Sequence, residues 1–488
     1  MDYKISKEKL NYISSYLKKL IDLAENGVRK GRYNISLSAL SAFCKIQYSI
    51  NQVYTDKKAE DLLLHISKEV VKIPNDYCSD ENTILFYDGF GLDLRGWAAS
   101  FAKGLSGLEY DIVYVAPLHS AGNIPHIARE VENGRGKIEY IDMKHSYTSH
   151  IETLNNVFLK YRPQVAFFYT TPNDVAGAAV FDAYAGKTRR IQIDLTDHAF
   201  WIGTKAFDFI TESRDVGVSN AIYHRGVDIK KVKKMDCCLY INTDVDSTSL
   251  PFNIEKEKYI FSGGSLYKTL GDEDLLFYKM IEHILFAHEN VKFLYAGEGD
   301  DSELKKLLLR FPGRAFHIGE RPDFYRLFKN SIFFLNTYPM FGGLMMRFSA
   351  NAGKIPLTLK HGSDHEGILF NQESLGIEFD SFEEAMQEAD MLIDDDQYRH
   401  TKEKKLEGAI ITQKDFSSIL RNLILNGETG ECVGEIAEVD TSEFRREYLE
   451  RLNPNEVLMD SIPLRVNKPL LTVFPGLFIK RIIRRIKR

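Results

Sequence analysis

The chain lacks any apolar run near the ~20 residues that a membrane-spanning helix needs. Its opening, MDYKISKEKLNYISSYLKKL, is charged throughout and has no apolar core of the secretory-signal kind. The expectation is a cytoplasmic protein that does not span a membrane. Cysteine is scarce: Cys44, Cys78, Cys237, Cys238 and Cys432 are odd in number, scattered, and without zinc-ligand spacing. The adjacent Cys237 and Cys238 therefore read as buried strand residues, and a reducing compartment suits this usage. Positive charge is not in excess either. A formal net charge of −6 excludes a bulk phosphate-neutralising surface, so no nucleic-acid partner is expected.

What is present is an ordinary globular composition over 488 residues, too long for one core and enough for two or three domains. Residues 1–78 read as helical. Leu10, Ile13, Leu17, Leu20 and Ile21 recur at helical spacing, as do Leu62, Leu63, Ile66, Val70 and Val71. Gly31-Arg32-Tyr33, then Leu37, Leu40 and Phe43, is weakly like one tetratricopeptide hairpin, but one unit is not an array. This segment is expected to be a helical cap, or a surface for a second copy or a partner protein.

From Thr83 the texture changes to short apolar runs alternating with helical stretches. Thr83–Tyr87, Asp111–Ala116, Ile138–Ile141, Val165–Tyr169 and Arg190–Leu195 are candidate strands of a parallel sheet spanning 79–250. Polar residues around 242–257, with Pro251, look like a linker. A second α/β unit over 251–425 has strands at Tyr259–Gly263, Val291–Ala296, Ala315–Ile318, Ser331–Leu335 and Ile355–Leu359. Two such units, each with glycines just after its strands, imply strand ends facing across a cleft. In the extension 426–488, Ile479, Ile482, Ile483 and Ile486 fall on one helical face, and Arg481, Arg484, Arg485 and Arg488 on the other. Residues 477–488 thus read as a basic amphipathic helix for an anionic membrane surface.

The motifs of the second unit come in an informative order. Phe261-Ser262-Gly263-Gly264 leads to Lys268 and Gly271, and Leu294-Tyr295-Ala296-Gly297-Glu298-Gly299 follows. Next are Phe316-His317-Ile318-Gly319, then Tyr338-Pro339-Met340-Phe341-Gly342-Gly343-Leu344, Ala352-Gly353-Lys354-Ile355-Pro356, and Gly362 through Glu366 and Gly367. Over roughly residues 80–425 this series resembles the GT-B glycosyltransferases, whose donor domain is of the group 1, family 4-like kind. The resemblance implies an α/β fold of two Rossmann-like domains. It implies donor-site roles for Gly263, Gly264, Lys268, Glu298, Gly319, Gly342, Gly343, Leu344 and Glu366. Glycines let backbone amides approach a diphosphate, lysine adds a point charge, and a helix start offers free N–H groups. There is one departure. Retaining members of the largest subgroup carry two glutamates flanking the glycine loop, and Met340 and Phe348 stand there instead. Arg347, Ser349 and Asn351 are the polar residues nearest the missing ribose clamp, and Arg347 is taken as a donor-site candidate.

In the first unit, Asp88 to Trp97 resembles the family's acceptor-side glycine loop through Gly91, Arg95 and Gly96; the third glycine is misplaced for a dinucleotide fingerprint. Ile191 to Trp201 delivers His198 to a strand end. It is similar to the histidine-bearing strand end of GT-B acceptor domains, those like protein O-GlcNAc transferase included. Imidazole can take a proton near neutrality, so His198 is the candidate base, with Asp197 and Asp194 as alternatives. Asp244-Val245-Asp246 resembles an Asp-x-Asp metal clamp but sits in the apparent linker. With GT-B enzymes generally needing no bound metal, no metal or cofactor is expected. His145, His150 and His224 show no partner in the sequence.

The resemblance implies a transferase moving a sugar from a nucleotide diphosphate, with UDP the expected nucleotide, to a hydroxyl of a lipid-linked glycan. Its place would be the inner face of the membrane, in cell-surface polysaccharide or glycoconjugate assembly. Two alternatives are a non-catalytic partner of a glycan-assembly complex and a nucleotide-sugar epimerase.

Overall fold

The computed structural model describes residues 2–143, 145–242, 249–362, 367–430, 433–434, 436–462 and 473–486. Asp244, Asp246, Glu366 and Cys432 lie outside the described residues.

The runs rich in β-branched and aromatic residues form two separate parallel sheets, as buried apolar strands do when helices cover both faces. The first holds β1 (Asp80–Asp88), β2 (Asp111–Pro117), β3 (Arg135–Ile141), β4 (Pro163–Tyr169), β5 (Arg189–Ile193), β6 (Phe209–Glu212) and β7 (Val232–Lys234), in the order β3-β2-β1-β4-β5-β6-β7. Ile84 of β1 sits between Ile112 and Val165, so the strand order reverses between β1 and β4. The second sheet holds β8 (Tyr259–Gly263), β9 (Lys292–Ala296), β10 (Ala315–Ile318), β11 (Phe334–Leu335), β12 (Pro356–Leu359) and β13 (Glu378–Phe379), in the order β10-β9-β8-β11-β12-β13. Its reversal falls between β8 and β11.

Each sheet belongs to its own compact unit, and their limits differ from those expected. One unit comprises residues 1–235 and 414–488, the other 236–413. The polar stretch near Pro251 does not divide them, because Leu239, Ile241, Leu250 and Phe252 already pack against the buried cluster of the second unit that holds Tyr259 and Phe261. Nor is the C-terminal stretch a separate extension. Phe416 meets Phe101 edge-on at 5.1 Å, and a Cβ on Gly104 would stand 2.7 Å from Leu420.

Helices α1 (Asp2–Arg29), α2 (Tyr33–Ile50) and α3 (Lys57–Val70) join the first sheet in one apolar core. Ile13, Leu20, Leu37, Leu40, Leu63 and Ile66 are fully buried there. At about 1.5–3 kcal/mol for each such side chain, this face is committed within its own unit. The last described helix, Pro475–Ile486, packs here too: Phe474 stacks on Tyr16 at 5.3 Å and Leu477 is buried, while Ile479 and Ile483 remain exposed. No helix among the described residues is long and apolar enough to cross a membrane.

Candidate functional site

Open parallel sheets bind ligands beyond the carboxyl ends of their strands, where the strand order reverses. In the second sheet that place lies beyond β8 and β11, and three loops meet there. A Cβ on Gly297 would fall 1.9 Å from the carbonyl oxygen of Gly264, and the Gly264 amide donates to the Ala296 carbonyl at 2.9 Å. Only glycine lets these two backbones come so close. The Leu266 amide donates to the Glu298 carbonyl at 2.9 Å, fixing a single 3₁₀ turn, Leu266–Thr269, that carries Lys268. Lys268 Nζ then donates to the Phe341 carbonyl at 3.1 Å, and the Met340 amide donates back to the Lys268 carbonyl at 3.2 Å.

Beyond β11, the buried side chain of Asn336 accepts the amides of Thr337 (3.0 Å) and Gly342 (2.8 Å) and donates to Thr358 Oγ1 at 3.1 Å. The helix Gly343–Asn351 starts from that fixed point. Its N-cap is Gly342, which has no side chain to accept a first-turn amide. The first-turn amides at Gly343 and Leu344 thus have no side-chain cap from Gly342, and the positive end of the helix dipole lies there. Gly263, Gly264, Lys268, Gly342, Gly343 and Leu344, chosen from sequence, are brought together here. Glu298 and Gly319 form their own contact on the turn after β9. The Glu298 carboxylate accepts the Glu320 amide at 3.3 Å, and a Cβ on Gly319 would lie 2.5 Å from it.

Arg347 is engaged elsewhere. Its buried guanidinium pairs with Asp236 at 2.7 Å, donates to the Ile368 carbonyl at 2.9 Å, and donates to the Cys237 carbonyl. Ser349 Oγ donates to the Lys354 carbonyl, and Asn351 Nδ2 to Tyr325 Oη. Phe348 is a core side chain set edge-on to Phe324 at 4.8 Å. A carboxylate there would be buried among aromatic rings.

In the first sheet, β1 ends at Asp88, whose buried carboxylate accepts Tyr114 Oη at 2.7 Å and the amides of Phe90 (2.9 Å) and Gly91 (3.0 Å). Burial pushes its pKa up to about 6 against these hydrogen bonds. The loop presses on the end of β4: a Cβ on Gly96 would lie 2.1 Å from Tyr169 Oη, which accepts the Trp97 amide at 3.0 Å. Arg95 is exposed on this loop. The same loop holds a pair not anticipated from sequence. Asp93 accepts the amides of His126 (3.1 Å) and Ile127 (3.0 Å) and lies 2.5 Å from His126 Nδ1. A carboxylate on Nδ1 fixes the ring of a histidine at this sheet edge. Thirty-three residues separate the two, so only the fold could have shown it.

His198 lies in the loop after β5. Its Nδ1 is 3.4 Å from Asp197 Oδ1, and its ring meets Phe444 edge-on at 6.0 Å. Asp197 is itself in a two-point pair with Arg214 (Nε–Oδ2 2.5 Å, Nη2–Oδ1 2.9 Å). Burial acts to raise its pKa, but the guanidinium wins and holds the carboxyl far below the usual range. Asp194 accepts Trp201 Nε1 at 2.8 Å, and its burial, only partly offset by Arg225, pushes its pKa up. Glu212, buried at the end of β6, is pushed well above the ordinary range by burial and by Asp194. Asp194 and Asp197 are thus both engaged by buried partners, and the half-buried His198 imidazole lies beside Asp197. Among the described residues no group of three or more His, Cys, Asp or Glu could hold a metal ion.

No protein-family model and no curated protein sequence matches the chain. Solved structures do. A mutant of the Thermobaculum terrenum O-GlcNAc transferase is similar at a TM-score of 0.50 and 12% identity, over 91% of this chain and 85% of that one. An S. aureus TarM mutant in complex with Fondaparinux, alpha-GlcNAc-glycerol and UDP is similar at 0.51 and 9%, over 71% and 100%. A putative UDP-N-acetylglucosamine 2-epimerase from Listeria monocytogenes is similar at 0.50 and 12%, over 73% and 99%. The fold is GT-B. In this GT-B chain the β8–β11 reversal carries the loops described above, and the β1–β4 reversal carries Gly91, Arg95, Gly96 and the Asp93–His126 pair.

Proposed function

We propose that this GT-B protein is a glycosyltransferase that takes a sugar from a nucleotide diphosphate, with UDP as the nucleotide, and passes it to an acceptor hydroxyl. One observation carries the reading: Lys268, the paired glycines 263 and 264, and the uncapped helix start at Gly342–Leu344 are tied together at the β8–β11 reversal. A lysine, close-approach glycines and a helix start form an anion cradle, and a diphosphate is what such a cradle suits. The UDP in the TarM mutant complex supports that nucleotide here.

In the reaction, the bond from the anomeric carbon to the diphosphate oxygen breaks as the acceptor oxygen bonds to that carbon. Negative charge grows on the leaving diphosphate, where Lys268 and the helix amides stabilise it. His198 accepts the hydroxyl proton, and Asp197, held by Arg214, orients its ring. Gly91, Arg95 and Gly96 shape the acceptor side. Exposed Ile479 and Ile483, one turn apart in a cationic tail, support binding at the inner face of an anionic membrane. A lipid-linked glycan in cell-surface polysaccharide or glycoconjugate assembly is the acceptor class that suits this placement.

A second reading, a catalytically silent GT-B subunit, is favoured by Phe348 filling a core position where retaining members of the largest GT-B subgroup have a glutamate. Incubation with a panel of UDP-sugars separates the readings. UDP release that depends on a lipid-linked acceptor supports transfer. Conversion of the sugar without acceptor marks an epimerase, and binding without turnover marks the silent subunit.

A further inference from the structure

The loop 194–204 is largely buried, so its backbone carbonyls must find partners within the protein. Here four consecutive carbonyls accept from side chains. The carbonyl of Thr196 takes Arg225 Nη2 at 3.2 Å; that of Asp197 takes Asn220 Nδ2 and Arg225 Nη2, both at 3.0 Å. The His198 carbonyl takes Asn51 Nδ2 at 2.9 Å, and that of Ala199 takes Arg225 Nη2 at 2.6 Å. All three donors are buried. The Arg225 guanidinium lies over the rings of Trp201 (4.8 Å) and Tyr54 (5.3 Å).

The N-terminal segment supplies one of these donors, and it meets the same loop at two further points. Asn51, at the end of α2, has φ 47° and ψ 46°, a left-handed conformation that asparagine tolerates better than most residues. From α3, Glu60 accepts the amides of Gly203 (2.8 Å) and Thr204 (3.3 Å). Phe43 of α2 meets Phe200 edge-on at 6.3 Å. A cap that only covered apolar surface would need no buried asparagine and glutamate directed at one loop, because each costs free energy unless paired.

We infer that the N-terminal helical segment is a working part of the acceptor-side site: Asn51, together with Asn220 and Arg225, sets the position of His198. These are positioning residues, acting on the backbone that carries the imidazole. What His198 then does rests on the transferase reading; how it is held does not.

Asn51→Gly tests this in the full chain, since glycine adopts the left-handed backbone freely but has no side chain to donate. Asn51→Asp, read at pH 8 where the carboxyl is driven toward its charged, non-donating form, is the companion. The expected result is a loss of hydrogen-exchange protection of at least tenfold across residues 196–204, with the second unit unchanged. The titration midpoint of His198, followed by NMR of ring-labelled histidine, should move. Turnover of the UDP-sugar identified in the panel should fall at least tenfold, while the Kd for UDP stays within twofold. Unchanged exchange in 196–204, or a loosened loop with full turnover, overturns the inference. If the wild-type chain turns over no UDP-sugar, the transferase reading fails. Exchange and the His198 titration then decide the positioning by themselves, an unmoved titration counting against it.

Discussion

Lys268 Nζ donates to the carbonyl oxygen of Phe341 at 3.1 Å, across 73 residues of sequence. The contact fixes a cation where the β8 and β11 loops meet, beside the start of the helix Gly343–Asn351. A lysine held at that place is a point charge of the sign a diphosphate requires.

Gly297→Ala should be severe. The new Cβ would lie 1.9 Å from the Gly264 carbonyl, so the two loops must part. We expect a loss of about 2–4 kcal/mol in urea unfolding, the usual scale for a backbone clash of this kind, and loss of UDP binding in whatever remains folded. A variant of wild-type stability and affinity would show that the loops do not need this approach.

Asp197→Asn separates orientation from base catalysis. Arg214 is buried and would lose the charge it pairs with. Breaking such a pair costs about 3–5 kcal/mol, so the midpoint of denaturant unfolding should drop sharply. A base with no structural duty would leave stability untouched and remove only turnover.

Glu60 gives a pH signature. Burial raises its pKa from 4.5 to about 7, against the hydrogen bonds it accepts. A carboxyl with a raised folded-state pKa keeps its proton while the unfolded chain releases it. Its contribution is therefore full below pH 4.5 and is lost as pH rises through about 7. The amount is on the order of 3 kcal/mol. Glu60→Gln should match the wild type in chemical denaturation at pH 4.5 and exceed it at pH 8. Equal pH profiles would mean that Glu60 does not titrate as its burial requires.

The tail can be tested by Ile479→Ser with Ile483→Ser. Both side chains are exposed, so stability should hold. Sedimentation with phosphatidylglycerol vesicles should fall at least tenfold, and wild-type binding should weaken in high salt. Undiminished vesicle binding would remove the tail from membrane attachment.

Much of this arrangement was legible in the sequence, for a physical reason. Strands buried on both faces must be apolar runs, and loops that approach a phosphate or each other must be glycine, as at Gly264 and Gly297. Both leave local marks. The partners of charged groups leave none: Asp197 with Arg214, Asp93 with His126 and Arg347 with Asp236 join residues that only tertiary folding brings together. The same holds for α1–α3. Their helical periodicity was plain, but not that Asn51 and Glu60 reach the loop of His198. The return of residues 414–488 to the first unit was also hidden, because a helix such as Gln413–Asn426 shows an apolar face without showing which core receives it.

The central claim is that the second unit grips a diphosphate through Lys268 and neighbouring amides. Calorimetric titration of UDP into the wild type and Lys268→Ala tests it most directly. Saturable wild-type binding, weakened at least tenfold in the variant, a change of about 1.4 kcal/mol or more, is the expected result. Equal affinity in the two proteins, or no binding of UDP by the wild type, would contradict it.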